Sequence, residues 1–152
     1  MKTQVHKKFS TQWIGQFGVA SELTRRNYLI SFGLGNMPGI DLLCQSPKGK
    51  KFSVQVKCLR SKGYFPFQDK LIEKDIPGLF VIFVYAPEKL NSPLEYFVFR
   101  QKDFRRIWQK ESRGWKTKER LRGKPYKDWS NGIGYQALLT TGVKNKWSVL
   151  PG

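Results

Sequence analysis

A chain of 152 residues is most economically one domain, long enough to bury a real core. With 39% apolar and 14% aromatic residues it is too hydrophobic to remain disordered. A formal charge of +17 excludes an acidic scaffold and demands a polyanionic partner or surface. Nucleic acid is the commonest such partner, with ribosomal and membrane-surface binding as the other candidates.

Targeting and covalent features are sparse. The start, MKTQVHKKFSTQW, has no apolar stretch of the kind that opens a secretory signal. The longest apolar run, GLFVIFVYA (78–86), is too short to cross a bilayer, so no membrane partner is expected. Cys44 and Cys58 form no CxxC and have no histidine cluster near them, which argues against both zinc and a disulfide framework. A cytoplasmic, reducing location is the expectation.

In chain order, residues 1–9 read as a flexible basic N-terminus and residues 10–152 as a single domain. Ser10 or Thr11 is placed to cap a helix running to about Arg26, with Asn27 suited to its exit. On a helical wheel Trp13, Phe17, Ala20 and Leu23 define its buried arc; Gln16 falls inside that arc, and Glu22 opposite, as a solvated acid. YLISF (28–32) reads as a strand, and GLGNMPG (33–39) turns the chain. Strands at about 40–46 and 51–59 flank SPKG, which has turn chemistry. Segment 60–77 is ambiguous. Strands at about 79–86 and 94–99 precede a helix from about Lys102 to Lys110. A basic C-terminal segment, about 100–127, carries twelve Lys or Arg against three acids, interleaved with Phe104, Trp108, Trp115 and Tyr126. That mixture suits phosphate contacts with aromatic insertion, or else a solvated surface with its aromatics turned inward. Trp129 and Trp147 read as core or capping residues.

The hairpin at 39–59 holds the most specific signal. Ile40, Leu42 and Cys44 alternate on one arm, and Phe52, Val54, Val56 and Cys58 on the other. Packing these rows together fixes the register parity. It places Asp41 on the opposite face with Ser53, Gln55 and Lys57, directly across from Gln55 or Lys57. The same register holds the two cysteines roughly 13 Å or more apart, too far for a disulfide. Between Glu22 and Asp69 the chain has eight Lys or Arg and one carboxylate, Asp41. One reading makes Asp41 and Lys57 a cross-strand ion pair, worth about 0.2–1 kcal/mol. In the other, the acid holds a hard divalent cation and the lysine stabilises charge or orients a water for phosphodiester hydrolysis. The glycine-rich approach GNMPG, which lets a substrate come close, favours the second.

PGID, thirteen residues, then QVK resembles the signature of the PD-(D/E)XK nuclease superfamily. The likeness is greatest to branches whose second element is QxK, as in Mrr-type restriction enzymes and a small class of intron-encoded homing endonucleases. GQFGVASELTRRNYLIS (15–31) resembles the first helix of such proteins, and GNMPGID their loop before the metal-binding Asp. The resemblance covers about residues 10–60. It implies an α/β fold, a restriction-endonuclease-like mixed β-sheet flanked by helices. It also implies roles: Asp41, Gln55 and the backbone carbonyl of Val56 as metal ligands, Lys57 as the catalytic lysine, and Gln16 where the family carries a helix-borne Glu. That glutamine departs from the pattern and leaves a site of one carboxylate, so Mg²⁺ or Mn²⁺ should bind weakly until DNA phosphate adds ligands.

Charge and resemblance together imply a divalent-metal-dependent DNA endonuclease of restriction, repair or mobile-element type, acting on duplex or branched DNA. The alternative is a nuclease-like DNA-binding module with weak or lost cleavage; an RNA-binding or toxin-like protein ranks below it. Nucleic-acid contacts are expected from Lys48, Lys50, Lys51, Arg60, Lys62, Arg105, Arg106, Arg113, Lys116, Lys118, Arg120, Arg122 and Lys124. A homodimer or higher oligomer is expected by analogy with enzymes that cut both strands.

Overall fold

The computed structural model describes residues 2–33, 37–123 and 131–152, with side chains at all of these except 2–5 and 114–122. Helix α1 spans Lys2–Arg25. It therefore begins well before the expected caps, and Ser10 and Thr11 instead bond back to the Lys7 carbonyl within the helix. At its exit Asn27 adopts the left-handed conformation (φ 62°), which asparagine tolerates better than most residues. The Tyr28 N–H then closes onto the Leu23 carbonyl at 3.1 Å.

Strands β1 (Leu29–Phe32), β2 (Leu42–Gln45), β3 (Lys51–Leu59), β5 (Leu79–Tyr85) and β6 (Glu95–Arg100) form a five-stranded mixed sheet in the order β1-β2-β3-β5-β6. Only β3 and β5 run parallel; the other neighbours are antiparallel. The β3–β5 crossover carries β4 (Tyr64–Pro66) and the short helix α2 (Lys70–Glu73), the segment with no clear period in the sequence. Helix α3 (Gln101–Arg122) is twice as long as its apolar pattern indicates. After it, β7 (Gly132–Gly134) pairs with β4 as a second small sheet, followed by helix α4 (Tyr135–Leu139) and a 3₁₀ turn at Trp147–Val149.

Alternation within the sheet creates two cores. Val19 and Leu23 of α1 pack with Leu42, Val54, Val56, Ile82 and Val84 on one face, closed by Trp147 and Leu150. Phe83, Phe97, Phe99 and Phe104 pack on the other face beneath α3, α4 and the β4–β7 sheet. The result is an α/β architecture in which helices flank a mixed sheet in one domain. Trp147 is core, as its sequence suggests; Trp129 lies outside the described residues. Phe104 is fully buried and Trp108 donates its indole N–H to the Gly132 carbonyl, so these two aromatics turn inward and are not free for insertion. Trp115 and Tyr126 fall among side chains outside the description.

The buried arc of α1 differs from its expected position. Trp13 and Phe17 are 40% and 56% exposed, whereas Gln16, Val19, Ala20 and Leu23 are buried. Gly15 explains the rotation. A Cβ built there would sit 2.5 Å from Cys58 Cβ, so the bare glycine lets the helix backbone press onto β3. That contact draws the Gly15/Gln16 edge inward and pushes Trp13 and Phe17 out. Glu22 is also less solvated than its wheel position implies, being 19% exposed and paired with Arg25 and Arg26. Both cysteines are free thiols. No described helix is long and apolar enough to cross a membrane.

Candidate active site

Asp41 stands in the turn immediately before β2. The ladder pairs Leu42 with Val54, yet the Asp41 N–H also reaches the Val54 carbonyl at 2.9 Å. Regular alternation therefore stops at Leu42, and the acid is not held on the Ser53/Gln55/Lys57 face as the extended register implies. Its carboxylate instead meets α1, which covers the other face. Oδ1 accepts from Gln16 Nε2 at 2.8 Å, and Oδ2 accepts from the Val56 N–H at 2.6 Å. No ion pair joins Asp41 to Lys57 among the described residues, so the simple cross-strand pair is not what the structure contains.

The sequence-derived residues nevertheless border one region. Asp41, Gln55 and Lys57 line one groove of about 1160 Å³ at the open end of β3, and Gln16 reaches Asp41 from the helix. Val56 directs its N–H toward Asp41. Because N–H and C=O of one residue in a strand share an edge, the Val56 carbonyl lies on that edge as well. Gln55 is 7% exposed and contributes to the groove wall.

Burial sets the protonation of the pair. It pushes the Asp41 carboxyl above the usual carboxylate range, against the Val56 N–H and the Lys57 charge, which pull it down. It draws the Lys57 ammonium below the ordinary lysine range, opposed by Asp41. Each group thus supports the other's charge in a partly dry site. Cys58 also lines the groove, but burial pushes its thiol up to about 12, so it is no thiolate nucleophile.

The available donors are all oxygens: the Asp41 carboxylate, the Gln55 and Gln16 amides, and the Val56 carbonyl. Such a set fits a hard divalent cation and not a soft metal. It carries little charge, and no cluster of three His, Cys, Asp or Glu occurs among the described residues. Both oxygens of Asp41 already accept one hydrogen bond, but each keeps a second lone pair.

Basic residues sort by distance from this site. Arg60 lies in the groove wall, and its Nε is buried with no hydrogen-bond partner. Lys48, Lys50 and Lys51 are exposed at the far end of the β2–β3 hairpin, about 20 Å away at ~3.3 Å per residue along β3. Lys62 sits over the rings of Tyr85 and Tyr135. Arg105 is engaged internally, donating to the carbonyls of Ile72 and Glu73 and to Asp75. Arg106 and Arg113 are exposed on α3; Lys116, Lys118, Arg120 and Arg122 lie on its last turns with side chains outside the description, and Lys124 is outside it altogether.

Lys7, Lys8, Thr11 and Gln12 also line the groove, a contribution that the sequence reading missed by starting the helix at Ser10. The signal was available: Lys8, Gln12 and Gln16 recur every four residues and so share one helix face. No family model, curated protein or solved structure matches the chain.

Proposed function

We propose that the chain is a cytoplasmic, divalent-metal-dependent DNA endonuclease of the PD-(D/E)XK kind. The observation that carries this reading is that Asp41, Gln55, Val56 and Lys57 line one groove of net positive charge, with Gln16 bonded to Asp41 from the adjoining helix. Asp41, Gln55 and the Val56 carbonyl would hold Mg²⁺ or Mn²⁺, with Gln16 steadying the carboxylate. Bound there, the cation would supply a polarised phosphoryl oxygen and a more acidic water. The chain's own groups do the rest. Lys57, with its lowered proton affinity, holds a water or neutralises developing charge on the phosphate. Arg60, whose buried Nε lacks a protein acceptor, offers a donor to a neighbouring phosphate. Lys8 adds positive charge along the backbone path, whereas Lys7 is paired with Glu88 of the same wall at 2.7 Å. By analogy with enzymes that cut both strands, two chains would act together on a duplex.

A DNA-binding module with weak cleavage is the second reading, and the single carboxylate of the site favours it. Incubation with plasmid and branched DNA, in Mg²⁺ or Mn²⁺ against chelator, separates the two. The nuclease reading expects nicked or linear product only with metal. Metal-independent cleavage, or salt-sensitive binding without any product, contradicts it.

A further inference from the structure

Phe9, Trp13 and Phe17 recur every four residues on α1 and form an exposed aromatic row directly beside the polar row that ends at Gln16. Their exposures are 59%, 40% and 56%, a contiguous apolar surface of the kind that marks a binding site and not scattered surface residues. Trp13 stacks on Phe17 (centroids 5.2 Å apart, 21° between planes), and Phe32 of β1 buttresses Phe17 edge-on at 5.5 Å. Trp13, Phe32 and Met37 line a cleft of about 350 Å³ whose inner wall is Gln16 and Asp41. Asp41 is thus the partition between the basic groove and an aromatic cleft, and Gly39 and Gln12 border both.

We infer that this cleft receives an unpaired nucleobase adjoining the phosphate held in the groove, so the substrate is a nucleic-acid strand with an unstacked base. The inference rests on the nuclease reading for the identity of the groove's occupant. Two features select a base over other occupants. The cleft opens from the same wall as a cationic groove, so a ligand spanning both must be anionic on one side of Asp41 and flat and apolar on the other. A nucleotide has that form, and base–aromatic stacking tolerates any sequence. A second copy seated directly in the cleft, with no nucleic acid between to neutralise it, would bring two strongly positive molecules together, at +17 each. A base within a duplex is already stacked and paired, so only an extruded, bulged or single-stranded one can enter.

Binding measured in chelator tests this without requiring cleavage. Three labelled oligonucleotides serve as probes: a paired duplex, the same duplex with a one-nucleotide bulge, and a single strand. The parent protein should bind the last two more tightly than the duplex. Trp13→Ala should weaken binding to those two by roughly 5- to 150-fold and leave the duplex unchanged, while Trp13→Phe retains most of the preference. A second readout needs no variant: 2-aminopurine at the bulge should be quenched on binding, and 2-aminopurine inside the duplex should not. Equal loss on all three probes, no loss, or absence of quenching overturns the inference. Loss of a dimer in sedimentation of Trp13→Ala overturns it too, in favour of a second copy. Failure of metal-dependent cleavage, with the bulge preference intact, would instead remove the nuclease reading alone.

Discussion

Gln16 and Asp41 form a contact that a second negative charge would transform. A glutamate at position 16 would set its carboxylate against that of Asp41, where Nε2 now lies 2.8 Å from Oδ1. Like charges at that distance resist joint ionisation. Gln16→Glu should therefore cost the metal-free protein about 2 kcal/mol or more at neutral pH. It should also lower several-fold the Mg²⁺ concentration for half-maximal cleavage, because hard cations bind more tightly as carboxylates are added. Melting curves with and without Mg²⁺, beside a metal titration of cleavage, check both halves. Asp41 itself carries a pH signature. Its carboxyl proton affinity is raised in the fold, so the folded state binds the proton more readily than the unfolded chain does. Stability from this group accordingly falls as pH rises from the unfolded pKa through the higher folded one. Asp41→Asn cannot ionise and keeps an oxygen for the Val56 N–H. It should melt at or above the parent at pH 7, with the gap closing toward acid pH, while cleavage drops by about a hundredfold or more.

Helix α1 owes its position to Gly15. Gly15→Ala would drive a methyl into Cys58 Cβ, backed by β3, and neither side is a flexible side-chain tip. We expect a loss of about 1–3 kcal/mol in denaturant unfolding, with a fall in cleavage as Gln16 is levered away from Asp41. Strands were the most legible elements, because period-two alternation and the SPKG turn mark β2 and β3 directly, and β3 (Lys51–Leu59) coincides with its expected span. The link of Gln16 to Asp41 came only from the family resemblance, but its burial was legible from the apolar residues around it on the helix. Three things were not. The outward turn of Trp13 and Phe17 depends on a tertiary contact at one glycine, which no helical wheel registers. The direction of the Asp41 side chain depends on a break in the ladder one residue before β2. The length of α3 past Lys110 rests on charged residues with no apolar period, and β4, α2 and β7 are too short to carry one.

The charge of the chain is spread over the groove, the α3 surface and the hairpin tip, whereas the proposed hydrolytic groups are only Asp41 and Lys57. Affinity and cleavage should therefore separate. DNA affinity should fall steeply with salt, by about 0.9 log units per log unit of salt for each phosphate neutralised. Charge reversal at Arg113, Lys116, Lys118 or Arg120 should weaken binding to every sequence about equally and make that slope shallower by about one. Fluorescence anisotropy across a salt series reads both. The most direct test of the central claim is Lys57→Ala, assayed for DNA cleavage in Mg²⁺ and for DNA affinity in chelator. Cleavage should fall by at least about a hundredfold, with affinity within about threefold of the parent, since one cation among many is lost. Cleavage at the parental rate by a folded Lys57→Ala protein would contradict the account and move the activity away from this groove.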